Sequence, residues 1–230
     1  PPGRLCYLRA MPCNSRSIRA VLALAAATSW LPAQGWFRHG GPAGDATSGQ
    51  VVTDLARQRL TQVDPLGETW EWDGAAWRKF AVPPLPGGTQ AGTLIYDGAR
   101  NQSLFVAASA PTLRTWNGNN WAPIAAAQPP TEVGPAAFDS GRNRVVMLLP
   151  QLRATAEWDG ATWSIPSPPG QTAVGYQPQL IRDSGRNQVL LLQRSAAAMP
   201  LQTLRWTGST WLPLATGGPG SDRFACADDP

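Results

Sequence analysis

The chain has 230 residues, of which 43% are hydrophobic, and it contains 23 Gly and 23 Pro. This composition suffices for one sizeable core and favours many turns over long helices, so we expect an all-β domain. The formal charge is +4, but from residue 34 onward fifteen basic residues balance fifteen acidic ones. Because no basic surplus remains in that part to attract phosphate, we expect no nucleic-acid partner.

The N-terminal region predicts export. A basic stretch after Met11, the small apolar run 20–28 and a small-residue site ending at Ala33 form the pattern of a secretory signal peptide over residues 11–33. The run is too short for a stable membrane anchor, so we expect no membrane insertion after cleavage and a mature chain that is secreted, periplasmic or on the cell surface. We interpret residues 1–10 as upstream translation and residues 34–48 as a Gly-rich linker.

The first repeated motif begins with an Asp that ends a short apolar or alternating run and is followed three residues later by Arg. It occurs four times with a period of about 43 residues, at Asp54/Arg57, Asp97/Arg100, Asp139/Arg142 and Asp183/Arg186. An Asp side chain can accept hydrogen bonds from the backbone ahead of it, and the spacing suits a local Asp–Arg bridge. The motif predicts a tight turn between two strands.

The second repeated motif is a pair of tryptophans that flank a turn with Gly at its second position. Eight of the eleven Trp residues occupy it, at Trp72/Trp77, Trp116/Trp121, Trp158/Trp163 and Trp206/Trp211. Glycine permits the positive φ that such a turn needs. We expect the two rings to lie together on the hairpin and to supply apolar area between adjacent sheets.

Each repeat therefore predicts two hairpins, that is, four short antiparallel strands. In the second repeat these are expected over residues 93–96, 103–107, 113–116 and 121–124. Four strands in about 43 residues is the size of one β-propeller blade. We place repeats near residues 49, 92, 134 and 177, with a partial fifth near 222.

These two motifs, which keep phase through residues 49–230, resemble the bacterial kelch-like repeat of the galactose-oxidase central-domain type. The resemblance implies a propeller, although the Gly-Gly pair usual after the second strand of a kelch repeat is missing. Propellers usually need four to eight blades. We therefore expect an incomplete ring from a truncated reading frame, while a complete chain would favour self-association through its unpaired final strand.

Little in the sequence predicts catalysis. His39 is the only histidine, which excludes catalytic triads and clustered imidazole metal sites, and a galactose-oxidase copper site would need paired Tyr and His ligands. The repeated Asp residues are interpreted as turn residues, so a catalytic pair would come from acids that break the repeat, such as Asp64, Glu68 or Glu132. We predict no catalytic, cofactor or metal site.

The resulting hypothesis is a secreted, non-catalytic propeller that binds or scaffolds a protein or glycan partner. An anion gripped by the four repeated arginines is a variant of this hypothesis. The alternatives are a fragment of a propeller hydrolase or lyase whose catalytic residues lie in missing blades, and a purely structural surface repeat. The longest departure from the repeat, near residues 194–202, is the predicted place to look for a contact surface.

Overall fold

The computed structural model describes residues 49–88, 92–107, 112–125 and 129–218. All of them belong to the compact unit Gly41–Pro230. The upstream residues, the predicted signal peptide, the linker with His39 and the partial fifth repeat lie outside the described residues. Within the described part, no helix is long and apolar enough to cross a membrane.

Sixteen β-strands form four sheets, which we number as blades 1 to 4 in chain order. Blade 1 contains β1 (Gln50–Asp54), β2 (Arg59–Val63), β3 (Thr69–Trp72) and β4 (Trp77–Lys79). Blade 2 contains β5 (Gly92–Asp97), β6 (Gln102–Ala107), β7 (Thr112–Trp116) and β8 (Trp121–Pro123). Blade 3 contains β9 (Ala136–Asp139), β10 (Arg144–Leu149), β11 (Ala154–Trp158) and β12 (Trp163–Ser167). Blade 4 contains β13 (Tyr176–Asp183), β14 (Gln188–Arg194), β15 (Leu201–Trp206) and β16 (Trp211–Thr216), with a 3₁₀ turn at Ser184–Arg186.

Every sheet is antiparallel, with its strands in sequence order. The first strands of successive blades pack together, β1 against β5, β5 against β9 and β9 against β13. Four such sheets set in a ring are the arrangement of a four-bladed β-propeller. The predicted all-β fold class is therefore confirmed, and the four strands predicted for the second repeat agree with β5 to β8 within one residue at each end.

Two residues stabilise the first turn of each blade. The Asp accepts a backbone hydrogen bond, and the residue just before the second strand has a positive φ. In blade 1, the Asp54 carboxylate accepts a hydrogen bond from the Arg57 backbone N–H at 3.0 Å. The turn then closes through a residue in the left-handed region, with φ near 50°, which is Asn in three of the blades. Asn adopts this conformation more readily than most residues.

The second turn of each blade places the two tryptophans directly opposite each other. Trp158 pairs with Trp163 in register, and their ring centroids are 5.6 Å apart. The other three pairs have centroid distances of 5.9, 5.2 and 4.9 Å. Gly160 makes the turn possible because its φ is +99°, a conformation that a side chain strains. The prediction that both rings lie together on the hairpin is confirmed.

The hydrophobic core consists of three clusters, each lying between two neighbouring blades. Val63 and Phe80 of blade 1 pack with Trp116 of blade 2, whereas Leu104 of blade 2 packs with Trp158 of blade 3. The third cluster joins blades 3 and 4 in the same manner. Burial between blades therefore stabilises the array, and each tryptophan hairpin of blades 2, 3 and 4 packs against the blade before it.

Candidate functional site

The repeated arginines lie on the edge of the propeller that carries both turns of each blade. Each guanidinium faces the Asp of its own turn, with N–O distances of 2.8 Å in blade 1, 3.0 Å in blade 2, 3.7 Å in blade 3 and 3.3 Å in blade 4. Burial alone would lower the pKa of Arg57, but its hydrogen bonds to Glu71 and Asp54 raise it. The arginines are thus engaged in local ion pairs.

The arginine of each of the first three blades also lies against the tryptophan hairpin of the next blade. A Cβ added to Gly118 would lie 2.6 Å from the Arg57 guanidinium, and one added to Gly208 would lie 2.7 Å from that of Arg142. Arg100 contacts Gly160 in the same way and donates to the Asp159 carbonyl. Glycine is needed at this position because of its positive φ, and the space beside its Cα is taken by the preceding blade's arginine in blades 2, 3 and 4.

Two of the three junctions between blades contain a buried polar network that the sequence analysis missed. At the junction of blades 1 and 2, the Trp116 indole N–H donates to Glu71 at 2.6 Å, and Trp121 donates to Thr69 at 2.8 Å. Arg57 also donates to Glu71, so this buried carboxylate joins the turn of blade 1 to the hairpin of blade 2. Both acceptors are buried.

The junction of blades 3 and 4 repeats this network. Trp206 donates to Glu157 at 2.6 Å, Trp211 donates to Thr155 at 2.9 Å, and Arg142 pairs with the same glutamate. The signal for both networks is a Thr-x-Glu-Trp sequence, which the first and third repeats share.

The junction of blades 2 and 3 lacks these acceptors. Leu113 and Thr115 occupy the positions that Thr and Glu hold in blades 1 and 3. Among the described residues, the buried indole nitrogens of Trp158 and Trp163 have no hydrogen-bond partner. An unsatisfied buried donor costs about 1–3 kcal/mol. The two tryptophan rings therefore pack here through apolar contact, and the polar contact of this hairpin with blade 2 is the Arg100 bond to the Asp159 carbonyl.

A groove of about 520 Å³ lies on this edge, where the hairpins of blades 1 and 2 meet. Its lining residues are Arg57, Arg59, Glu71, Asp73, Arg78, Phe80 and Gly118. The exposed Arg78 lies 4.9 Å over the Phe80 ring, and Arg59 donates to the Asp73 carbonyl at 2.9 Å. The groove thus offers guanidinium donors and a carboxylate, and the Phe80 ring beneath Arg78 is only 9% exposed.

The exposed turn aspartates have lowered pKa values. Hydrogen bonds from the backbone N–H groups of Thr162 and Ala161 lower the pKa of Asp159 to about 2. The corresponding bonds from Ala76 and Ala75 lower the pKa of Asp73. These carboxylates remain charged at neutral pH and stabilise the turn by accepting its backbone hydrogen bonds.

The acids that break the repeat are each engaged by neighbouring groups of their loops. Asp64 accepts from the backbone N–H of Leu66 and of Glu68 at 2.9 Å, and Glu68 forms an ion pair with Lys79 at 2.6 Å. Glu132, in a different link, accepts from two backbone N–H groups of the loop after β10. Within the described residues, no cluster of three or more His, Cys, Asp or Glu could hold a metal ion.

The irregular segment near residues 194–202 lengthens the loop that joins β14 to β15 in blade 4. Arg194 is buried and donates to the carbonyl of Met199, whose side chain is exposed. β14 extends to Arg194 and β15 begins at Leu201, so the extra residues project as the loop between these strands. The loop lies on the edge opposite the groove, because β14 and β15 are joined at the other end of the blade from its two turns.

The chain was compared with family models, curated proteins and solved structures. No family model matches the chain, and no curated protein matches it. A solved structure described as "YCF48 bound to D1 peptide" is similar to it at 18% sequence identity and a TM-score of 0.44. The match covers 69% of this chain and 50% of that chain, so the chain spans half the length of that protein. The assignment to the β-propellers therefore rests on the strand order and blade packing of the chain itself.

Proposed function

We propose that this chain is a secreted, non-catalytic bacterial propeller of kelch-like type, and that it binds a protein or glycan partner through the groove between blades 1 and 2. The observation that supports the proposal is the composition of that groove. Arg59 and Arg78 stand beside the Asp73 carboxylate and the Phe80 ring. Binding sites combine an apolar surface with a few convergent polar groups in this way.

A protein segment suits the groove better than an uncharged sugar. Guanidinium groups recognise carboxylates through paired hydrogen bonds, and an uncharged sugar has no carboxylate to accept them. The acidic Asp73 and the basic Arg78 line the same groove, which favours a partner segment that carries both signs of charge. We therefore expect an acidic peptide segment with a nearby basic residue.

The non-catalytic part of the proposal is supported by the occupation of the acidic side chains. Glu71 and Glu157 are buried in junction networks, and the turn aspartates bind backbone N–H groups. A general acid or nucleophile must face substrate with a suitable proton affinity. The lowered pKa of Asp159, caused by its backbone hydrogen bonds, suits a turn residue rather than a proton donor at neutral pH.

Binding is tested on a peptide array and a glycan array probed with the purified chain and with Arg59→Ala/Arg78→Ala. We expect acidic peptides to bind the chain, and the double variant to bind them at least about tenfold more weakly, because it removes two guanidinium groups from the groove. Arg153→Ala, which changes an exposed arginine of the loop after β10, is the matched control. Equal binding by the double variant, or hydrolysis of an array glycan, would contradict the proposal.

Secretion is tested separately by expressing the chain with its own N-terminal residues in a bacterial host. We expect the exported protein to begin at Gln34, because the predicted signal peptide ends at Ala33. Mass spectrometry of the periplasmic and medium fractions measures this terminus. An unprocessed chain confined to the cytoplasm would contradict the secreted assignment and leave the groove proposal standing.

A further inference from the structure

At two junctions between blades, a buried glutamate carboxylate accepts hydrogen bonds from both sides. Glu71 accepts from Arg57 of its own blade and from the Trp116 indole N–H of blade 2. Glu157 repeats this arrangement between blades 3 and 4. One guanidinium and one indole N–H therefore point at a single negatively charged group, and hydrogen bonds to ionised acceptors are the strong ones.

The junction of blades 2 and 3 keeps both kinds of donor. The Trp158 side chain is fully buried, and its indole N–H has no hydrogen-bond partner in the described part of the chain. Arg100 donates to the Asp97 carboxylate and to the Asp159 carbonyl, and its guanidinium has further N–H groups to donate. Because a buried donor without an acceptor costs free energy, the position opposite the Trp158 N–H favours an acceptor.

Blade 2 does not supply this acceptor from its own side chains. Thr115 stands at the register position that Glu71 holds in blade 1. Its hydroxyl donates to the Gln102 side chain at 3.1 Å, and the neighbouring Leu113 belongs to the apolar core. A threonine side chain is shorter than that of glutamate by roughly the size of a carboxylate group. The change from glutamate to threonine thus removes from this junction an acceptor about as large as a small anion.

The charges at the junctions differ in the same way. Between blades 1 and 2, the Arg57 guanidinium is paired with two buried carboxylates, those of Asp54 and Glu71. Between blades 2 and 3, the carboxylate paired with Arg100 is that of Asp97. The contribution that Glu71 makes and Thr115 does not is one negative charge. A monovalent anion supplies this charge, whereas a water molecule supplies an acceptor without it.

We propose that the junction of blades 2 and 3 binds a small monovalent anion, of the size of chloride or formate, between the Trp158 indole N–H and the Arg100 guanidinium. The anion takes the place that the carboxylates of Glu71 and Glu157 hold at the other two junctions. Arg100 is 32% exposed, so the guanidinium side of the site is open to solvent. Because the site exists only where the two blades are packed, anion binding stabilises the fold. The site is separate from the groove between blades 1 and 2 and does not depend on what that groove binds.

The test follows the Trp158 indole N–H of the purified chain by nitrogen–proton NMR, with the resonance identified by its absence from Trp158→Phe. Sodium chloride or sodium formate replaces sodium gluconate, whose anion is much larger, at constant ionic strength. We expect a saturable shift of this resonance, and the anion that produces it at the lower concentration identifies the ligand as halide or carboxylate. Thr115→Glu supplies a carboxylate from the chain itself, so its Trp158 resonance should not respond. Thr216→Glu makes the same change at an exposed residue of β16 and should leave the dissociation constant unchanged.

A second variant keeps the test decisive if Thr115→Glu does not fold. Arg100→Gln retains the Trp158 donor but removes the positive charge, and it should raise the anion dissociation constant at least about tenfold. Thermal unfolding checks that each variant is folded, and the midpoint of the wild-type chain should rise with anion concentration. A Trp158 resonance that responds to neither anion, as expected for a bound water, would overturn the proposal. An equal response in Arg100→Gln or in folded Thr115→Glu would overturn it too, because the salt would then act elsewhere.

Discussion

The junction of blades 3 and 4 and the junction of blades 2 and 3 use the same hairpin with different chemistry. In the first, Glu157 and Thr155 accept from both tryptophans of the next blade. In the second, the counterparts are Thr115 and Leu113, and two buried indole N–H groups have no partner among the described residues. Both junctions nevertheless pack with their tryptophans buried or nearly so.

The comparison shows that the tryptophan rings pack against the preceding blade even where their indole N–H groups have no acceptor within the described part of the chain. Burying a Trp removes about 150–250 Å² from water, and about 25 cal/mol per Å² makes this several kcal/mol per ring. An unmade indole hydrogen bond costs about 1–3 kcal/mol, which is less. Leu113 also adds apolar area where Thr155 and Thr69 have a hydroxyl. The polar network therefore orients the hairpin rather than causing it to pack.

The largest expected effect comes from removing the tryptophan that packs without the network. Trp158→Ala should lower the free energy of unfolding by about 3–5 kcal/mol, because Trp158 is fully buried between blades 2 and 3. Trp72→Ala, at the same hairpin position in blade 1 but half-buried, should have a smaller effect. Denaturant unfolding measures both. An unchanged midpoint for Trp158→Ala would contradict the assignment of this ring to the core.

The next largest effect is expected from removing the shared acceptor of the polar network between blades 3 and 4. Glu157→Ala should lower the free energy of unfolding by about 2–3 kcal/mol, because it leaves the Arg142 guanidinium and the Trp206 indole without their shared acceptor. Thr115→Ala, at the register counterpart in blade 2, should cost under about 1 kcal/mol. Equal losses for the two variants in chemical denaturation would show that the network contributes nothing specific.

Much of the fold could be predicted from the sequence because its signals are local and repeated. The spacing of Asp97 to Arg100 and of Trp116 to Trp121 defines two hairpins within a single blade, and both occur in the structure. The acceptor role of Glu71 could not be predicted in the same way. Its donor Trp116 lies 45 residues further along the chain, and the Thr-x-Glu-Trp sequence occurs in only two of the four repeats. The partners at a junction depend on how sheets stack, which a strand pattern does not specify.

Adding the missing acceptor to the junction of blades 2 and 3 should increase stability, which tests the same comparison in the opposite direction. Thr115→Glu gives the junction of blades 2 and 3 the acceptor that it lacks, next to Arg100 and the Trp158 indole. We expect the free energy of unfolding to rise by about 1 kcal/mol, because a charge-assisted bond offsets the cost of burying the carboxylate. Arg205→Glu is the control, since it puts Glu at the same register position in blade 4, after which the described residues contain no further hairpin. A loss of stability in Thr115→Glu would mean that this junction is packed too tightly for the network.

The smallest expected effect is a change in how the free energy of unfolding depends on pH in acid. The pKa of Asp159 is lowered from 3.8 to about 2 by the backbone N–H groups of Thr162 and Ala161. A carboxylate with a lowered folded-state pKa stabilises the fold above its unfolded-state value, and this contribution is lost as the pH falls from about 4 toward 2. The equivalent turns of blades 2 and 4 use Asn117 and Thr207, which do not titrate here. Asp159→Asn should therefore weaken the acid dependence of unfolding in this pH window, by a small amount because the carboxylate is solvent-screened. Chemical unfolding of both proteins at pH 5 and pH 2.5 measures the difference, and an identical acid dependence would mean that the Asp159 charge does not hold the turn against which Arg100 packs.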